Sequence, residues 1–130
     1  MTPKEFIKAW FANIDGNHYS SLEKMMDSSH QFFNPMMPVP ANKEQHLGMI
    51  QMMTTSFTEN KHHLDVLVSE GEWVIARGRV SCKHTGDFNG IAATNRKIEF
   101  SWIDIMHVVD GKVKEEYFEM NPMSIMQQLS

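Results

Sequence analysis

The sequence predicts an α+β domain: helices first, then a four-strand antiparallel meander, with the helices packed on one face of a curved sheet. Three observations predict it. Apolar residues recur at helical spacing through the first 57 positions, alternation with period two replaces it from residue 62, and Glu70-Gly71 and Asp110-Gly111 punctuate the second half as turns. The 130 residues, 42% apolar and 22% charged, suit one soluble domain spanning 1–130.

The first element starts at Thr2-Pro3-Lys4-Glu5, where Thr2 caps, Pro3 suits the first helical position and Glu5 completes a capping box. Phe6, Ile7, Trp10 and Ile14 form its inward stripe and Gly16 ends it. A short helix over about 18–26 follows, with Leu22, Met25 and Met26 on one side. The three prolines of HQFFNPMMPVPAN allow a short strand at about 30–34 and then a loop. Asn42 caps a third helix to about Phe57, with Leu47, Ile50, Met53 and Phe57 inward. Two strands flank Glu70-Gly71, two more flank Asp110-Gly111, and NPMSIMQQLS closes the chain with a turn or two of helix. Strand 98–109 is apolar on both faces, Ile98, Phe100, Trp102 and Met106 on one and Ile103 and Ile105 on the other. A sheet covered twice is the expectation, with a second copy of the chain on the outer side as a homodimer.

Charge and motif exclude several classes. A net charge of -4 argues against nucleic acid as a partner, and no run of about 18 apolar residues marks a membrane span. The start lacks the basic-then-apolar order of a signal peptide, and Cys82 has no disulfide partner, so a cytoplasmic protein is expected. No HExxH or CxxC spacing appears among the seven histidines, so no metal site is expected. Twelve methionines read as core filler, a soft-walled pocket or a subunit interface.

Residues 83–96, KHTGDFNGIAATNR, are too long for a tight hairpin, and Gly86, Gly90 and Asn95 can take positive φ there. His84-Thr85-Gly86-Asp87-Phe88-Asn89-Gly90 and Ala93-Thr94-Asn95-Arg96 resemble the H-x-G-x-F-x-G…A-T-G-R signature of SnoaL-like polyketide cyclases, a branch of the nuclear transport factor 2-like superfamily. IEFSWIDIMHVVDGKVKEEYFEMNPMSIMQQL is similar to the family's downstream pattern. The resemblance implies a cone-shaped, strongly curved antiparallel sheet with the N-terminal helices on its concave face, enclosing a pocket, usually as a dimer. It also implies aldol ring closure without metal or cofactor, by an aspartate acid/base and a histidine fourteen residues before it. Those places fall on Asn121 and His107, the family's tryptophan falls on Tyr117, and the glycine of A-T-G-R falls on Asn95.

An amide at 121 cannot exchange protons near neutral pH, and this departure shapes the functional expectations. A two-residue turn at Asp110-Gly111 sets Asp104 opposite Tyr117, whereas a bulged turn puts His107 and Ile105 on the face of Tyr117, Glu119 and Asn121. The family's pairing of histidine and aspartate in one pocket favours the bulged form. His107, Glu119 and Asn121 are then the catalytic candidates. Asn34, Phe33, Tyr117, Ile105, His84 and Trp102 are the candidate substrate contacts, on an apolar carbonyl-bearing small molecule. A cyclase or isomerase, a binding module without chemistry, and a dimeric adaptor are the three functions carried forward.

Overall fold

The computed structural model describes residues 1–130. Helix α1 (Pro3–Asp15) opens with the expected capping box, Thr2 and Glu5 each bonding the other's backbone N–H, and buries Phe6, Ile7, Trp10 and Phe11. Helix α2 (Tyr19–Lys24) adds Leu22. Strand β1 (Met26–Phe33) is longer than its sequence suggested, because a register irregularity between Met26 and Gln31 breaks the alternation that would have revealed it. Helix α3 (Lys43–Ser56) is capped by Asn42, whose side chain accepts from Gln45 N.

Strands β2 (Phe57–Glu70), β3 (Trp73–His84), β4 (Lys97–Val109) and β5 (Lys112–Glu119) form the expected antiparallel meander, and α4 (Pro122–Leu129) follows. The sheet has one strand more than the meander and is mixed. Its order is β1-β5-β4-β3-β2, with β1 parallel to β5 at one edge. Helix α1 lies against β2 and β3, and α3 against β1 and β2, so both helices cover the same face.

One face of the sheet is therefore dry. Val74, Ala76, Val80, Trp102, Met106 and Val113 meet Phe6, Ile7, Trp10, Phe11 and Leu22 in a single core. Burying a side chain such as Phe6, Ile7 or Leu22 contributes about 1.5–3 kcal/mol each. Gly78 sits where β2 crosses β3 closely. A Cβ there would lie 2.0 Å from His63 O, which no side chain tolerates.

The β4–β5 turn decides which residues reach that core. Asp110 and Gly111 both have positive φ, 52° and 73°, and Val109 pairs with Lys112, so the turn itself is the two-residue form. A bulge follows within β5: Val108 pairs with Val113 but His107 pairs with Glu115. Beyond the bulge, Ile105 faces Tyr117 and Asp104 faces Phe118. The set His107, Ile105, Tyr117 and Glu119 does share one face, by a bulge one step away from the turn rather than in it.

A buried acid pair and two histidines at an apolar cavity

A cavity of about 370 Å³ opens between the helices and the dry face of the sheet, with 17 hydrophobic residues among the 25 that line it. Trp10, Phe11 and Ile14 contribute from α1, Ile50 and Met53 from α3, and Phe100, Phe118 and Met120 from the C-terminal half. Volume and lining match those of small-molecule sites, in which a few polar groups fix the orientation of an otherwise apolar ligand.

Those polar groups include His46 and Glu116, behind which stand His30 and Asp104. All four are buried. His46 is one helical turn before Ile50 on the inward side of α3, and His30 alternates with Phe32 on β1. The protons in this cluster can be placed from geometry. His30 Nδ1 lies 3.0 Å from the carbonyl of Val113, which only accepts, so Nδ1 carries the hydrogen and Nε2 presents a lone pair. His46 Nδ1, 2.8 Å from that Nε2, must donate to it. Neutral His46 is left with a lone pair on Nε2, a hydrogen-bond acceptor on a ring that lines the cavity. Burial holds both rings below the usual imidazole range, His46 the further, with the charge of His30 acting in the same sense.

Asp104 and Glu116 are diagonal neighbours on β4 and β5, the register pairing Asp104 with Phe118 and Met106 with Glu116. Neither Asp104 oxygen, nor Glu116 Oε1, makes a hydrogen bond of good geometry. Two dry carboxyl groups in contact cannot both ionise, so a proton stays between them. Burial pushes both pKa values up. Glu116 rises well above its ordinary range, with the Asp104 charge and hydrogen bond adding to burial. Glu116 is thus an acid that keeps its proton at neutral pH, set 3.8 Å from His46 Nδ1.

His30, His46 and Glu116 also form a cluster whose ligand atoms lie within 4.8 Å of one another. Two imidazoles and a carboxylate suit a divalent ion of the zinc type. This spacing arises from β1, α3 and β5, so no sequence motif announces it. One proton already satisfies the two facing nitrogens in the arrangement seen.

The residues singled out in the sequence lie mostly elsewhere. His107 is on the outer face of the sheet, stacked on Trp73 at 4.5 Å and bonded to Glu72 at 3.1 Å. Tyr117 stacks on Phe33 at 4.6 Å on that same face and donates to Glu115. Ile105 and Glu119 share it by register. The inward neighbours one residue away hold the inner positions instead, Phe32, Asp104 and Glu116 buried and Phe118 half-buried. Asn121 is exposed and caps α4, its side chain accepting from Met123 N at 3.0 Å. Trp102 is buried against Phe11 and His62 but is not among the cavity-lining residues.

Asn34 does line the cavity, while its Oδ1 accepts from Met36 N as a turn-initiating residue. His84 is fully buried and orders the 85–96 loop, its Nδ1 accepting from Thr94 N and Thr94 Oγ1. That loop sits at the cavity edge, with Phe88 and Asn89 in the lining, and Thr85 N and Gly86 N both donate to Ser56 O. Gly90 and Asn95 take positive φ as expected, but Gly86 does not. Gly86 is needed for space: a Cβ would stand 2.7 Å from Thr55 O. Burial pushes the Cys82 thiol up to about 11, too high for a nucleophile at neutral pH.

Residues 5–129 match the SnoaL-like polyketide cyclase family. The aklanonic acid methyl ester cyclase DauD of Streptomyces sp. (strain C5) is 26% identical over 91 residues, 66% of this chain and 56% of that protein. The match therefore spans little more than half the length of that relative. Among solved structures, AclR from Streptomyces galilaeus superposes with a TM-score of 0.89 at 17% identity, covering 98% of this chain and 94% of the other. IdmH from Streptomyces antibioticus does so with a TM-score of 0.88 at 20% identity, covering 99% of each. These likenesses establish the fold.

Proposed function

The chain belongs to the SnoaL-like polyketide cyclase family, and from that membership we propose that it binds an apolar, carbonyl-bearing small molecule in its cavity and moves a proton on it. One observation carries the proposal: a protonated carboxyl, Glu116, and a neutral imidazole of fixed tautomer, His46, meet in the wall of an apolar cavity. Glu116 donates to a carbonyl oxygen, and His46 Nε2 accepts from a neighbouring hydroxyl or enol. The pair complements an enolised ketone, and Asp104 behind Glu116 helps keep the proton on the acid pair. Keto–enol conversion, the step that precedes aldol ring closure, is the chemistry these groups support. They supply an acid and a base that Asn121 cannot.

The test is a melting-temperature screen with apolar aromatic ketones, followed by solvent-deuterium exchange at the α-carbon of any ketone that shifts it. A ligand at 100 times its dissociation constant adds about 2.7 kcal/mol of stability. Glu116→Gln should cut exchange by about 10²–10⁴-fold, the usual worth of a general acid. No shift with any ketone would overturn the proposal. A shift without exchange would leave a binding module that does no chemistry.

We propose also that the outer sheet face is covered by a second copy of the chain. Trp73, Ile75 and Ile103 are 39%, 39% and 41% exposed there, beside Val66 and Val68. A run of large apolar groups on adjacent strands is what a subunit interface needs.

A further inference from the structure

Asp15 closes α1 and His62 lies in β2, where its ring lines the cavity and meets the Asp15 side chain. Both carboxylate oxygens of Asp15 are committed to His62: Oδ2 accepts from the backbone N at 2.8 Å and Oδ1 from ring Nδ1 at 2.5 Å. The ring is held between Phe11 and Trp102, with centroids 4.7 and 5.8 Å away. Nδ1 is thereby the protonated nitrogen. Nε2, without a partner in the protein, carries the lone pair on a ring that lines the cavity. A carboxylate that orients an imidazole and stabilises its protonated form is the arrangement of a general base.

We propose that His62 is a catalytic base for a carbon acid, positioned by Asp15, at the opposite end of the cavity from Glu116. Strands β2 and β5 are separated by β3 and β4. Three steps of about 4.8 Å set the two strands roughly 14 Å apart. The register offsets the stations along them, His62 reaching Phe100 through Val80 while Glu116 pairs with Met106. They act on different groups of one ligand, which selects an elongated molecule with an oxygen at the Glu116 end and an activated C–H next to a second carbonyl at the other. In the step itself the C–H bond breaks, its electron pair passes into the enolate, and the proton goes to His62 Nε2. The Asp15 carboxylate then faces an imidazolium. Return of a solvent deuteron along the same path completes an exchange.

This inference rests on the reading of the cavity as a ligand site, and the experiment separates the two. The probe is 6-acetyl-2-naphthol, whose hydroxyl suits His46 and Glu116 and whose acetyl methyl then lies toward His62. Melting temperature reports its binding, and loss of the methyl proton signal in D2O reports exchange. The wild-type protein should accelerate exchange over buffer. His62→Gln and the nearly isosteric Asp15→Asn should each reduce that acceleration by about 10²-fold or more while the probe still raises the melting temperature. A structural role alone would lower the melting temperature and leave exchange by the folded protein intact. Exchange unchanged in folded Asp15→Asn and His62→Gln, or absent in the probe-bound wild type, would overturn the dyad and spare the ligand site. Failure of this probe and of every apolar ketone to bind would overturn both.

Discussion

Replacing Asp104 by asparagine should flatten the fall in stability between about pH 4 and about pH 7. The Asp104 side chain is fully shut off from water, and burial pushes its carboxyl from 3.8 up to about 7. Between those values the folded protein holds a proton that the unfolded chain has released. Stability from this group is therefore complete below about pH 4 and is lost as pH rises through 7. At about 1.36 kcal/mol per unit, the full shift corresponds to roughly 4 kcal/mol, of which roughly 2–3 kcal/mol falls between pH 5 and pH 8. Glu116 is raised for the same reason and acts in the same sense. His30 and His46 are held low and act in the opposite one: below their unfolded value the denatured chain takes up protons that the folded state refuses. Both histidines are present in wild type and variant, so their contribution largely cancels in the comparison. Urea unfolding at steps from pH 5 to 8.5 would measure it. The stability of Asp104→Asn relative to wild type should improve by roughly 2–3 kcal/mol between pH 5 and 8. Parallel curves for the two proteins would refute the buried acid pair.

Other outcomes follow from single contacts. Gly86→Ala should cost about 1–3 kcal/mol by driving a methyl into Thr55 O, read as a lower urea midpoint. Asn121→Ala removes the α4 cap and should cost about 1 kcal/mol while leaving ketone binding unchanged; lost binding would return Asn121 to the site. Ile103→Glu, on the exposed outer face, should convert the proposed dimer to a monomer in sedimentation without unfolding it, and a monomeric wild type would refute that interface. Chelation by EDTA should leave the melting temperature unchanged, whereas a drop would assign His30, His46 and Glu116 to a resident metal ion.

Local chemistry made much of the fold legible in the sequence. Thr2, Glu5 and Asn42 act within their own turn of helix, so their spacing alone identifies the caps. The face of β4 was not legible, because Ile103 and Ile105 are as apolar as Trp102 and Met106, and alternation loses its meaning when both faces are greasy. On β3 the larger side chains, Trp73 and Ile75, are outside, and the inside takes Val74, Ala76 and Gly78 under the helices. Asp104 and Glu116 look like surface charges until the register brings them together. The Asp15–His62 and His30–His46 contacts join elements that only the folded chain makes neighbours.

The proton arrangement at His46 begins at the carbonyl of Val113, a group that every amino acid carries. Changing residue 113 cannot remove that acceptor; only moving the β5 backbone can. The direction in which the cavity's imidazole offers its lone pair is thus inherited from chain path rather than from any one side chain. Such a site can drift in sequence at residue 113 and keep its polarity, provided that the main chain beside His30 holds its course.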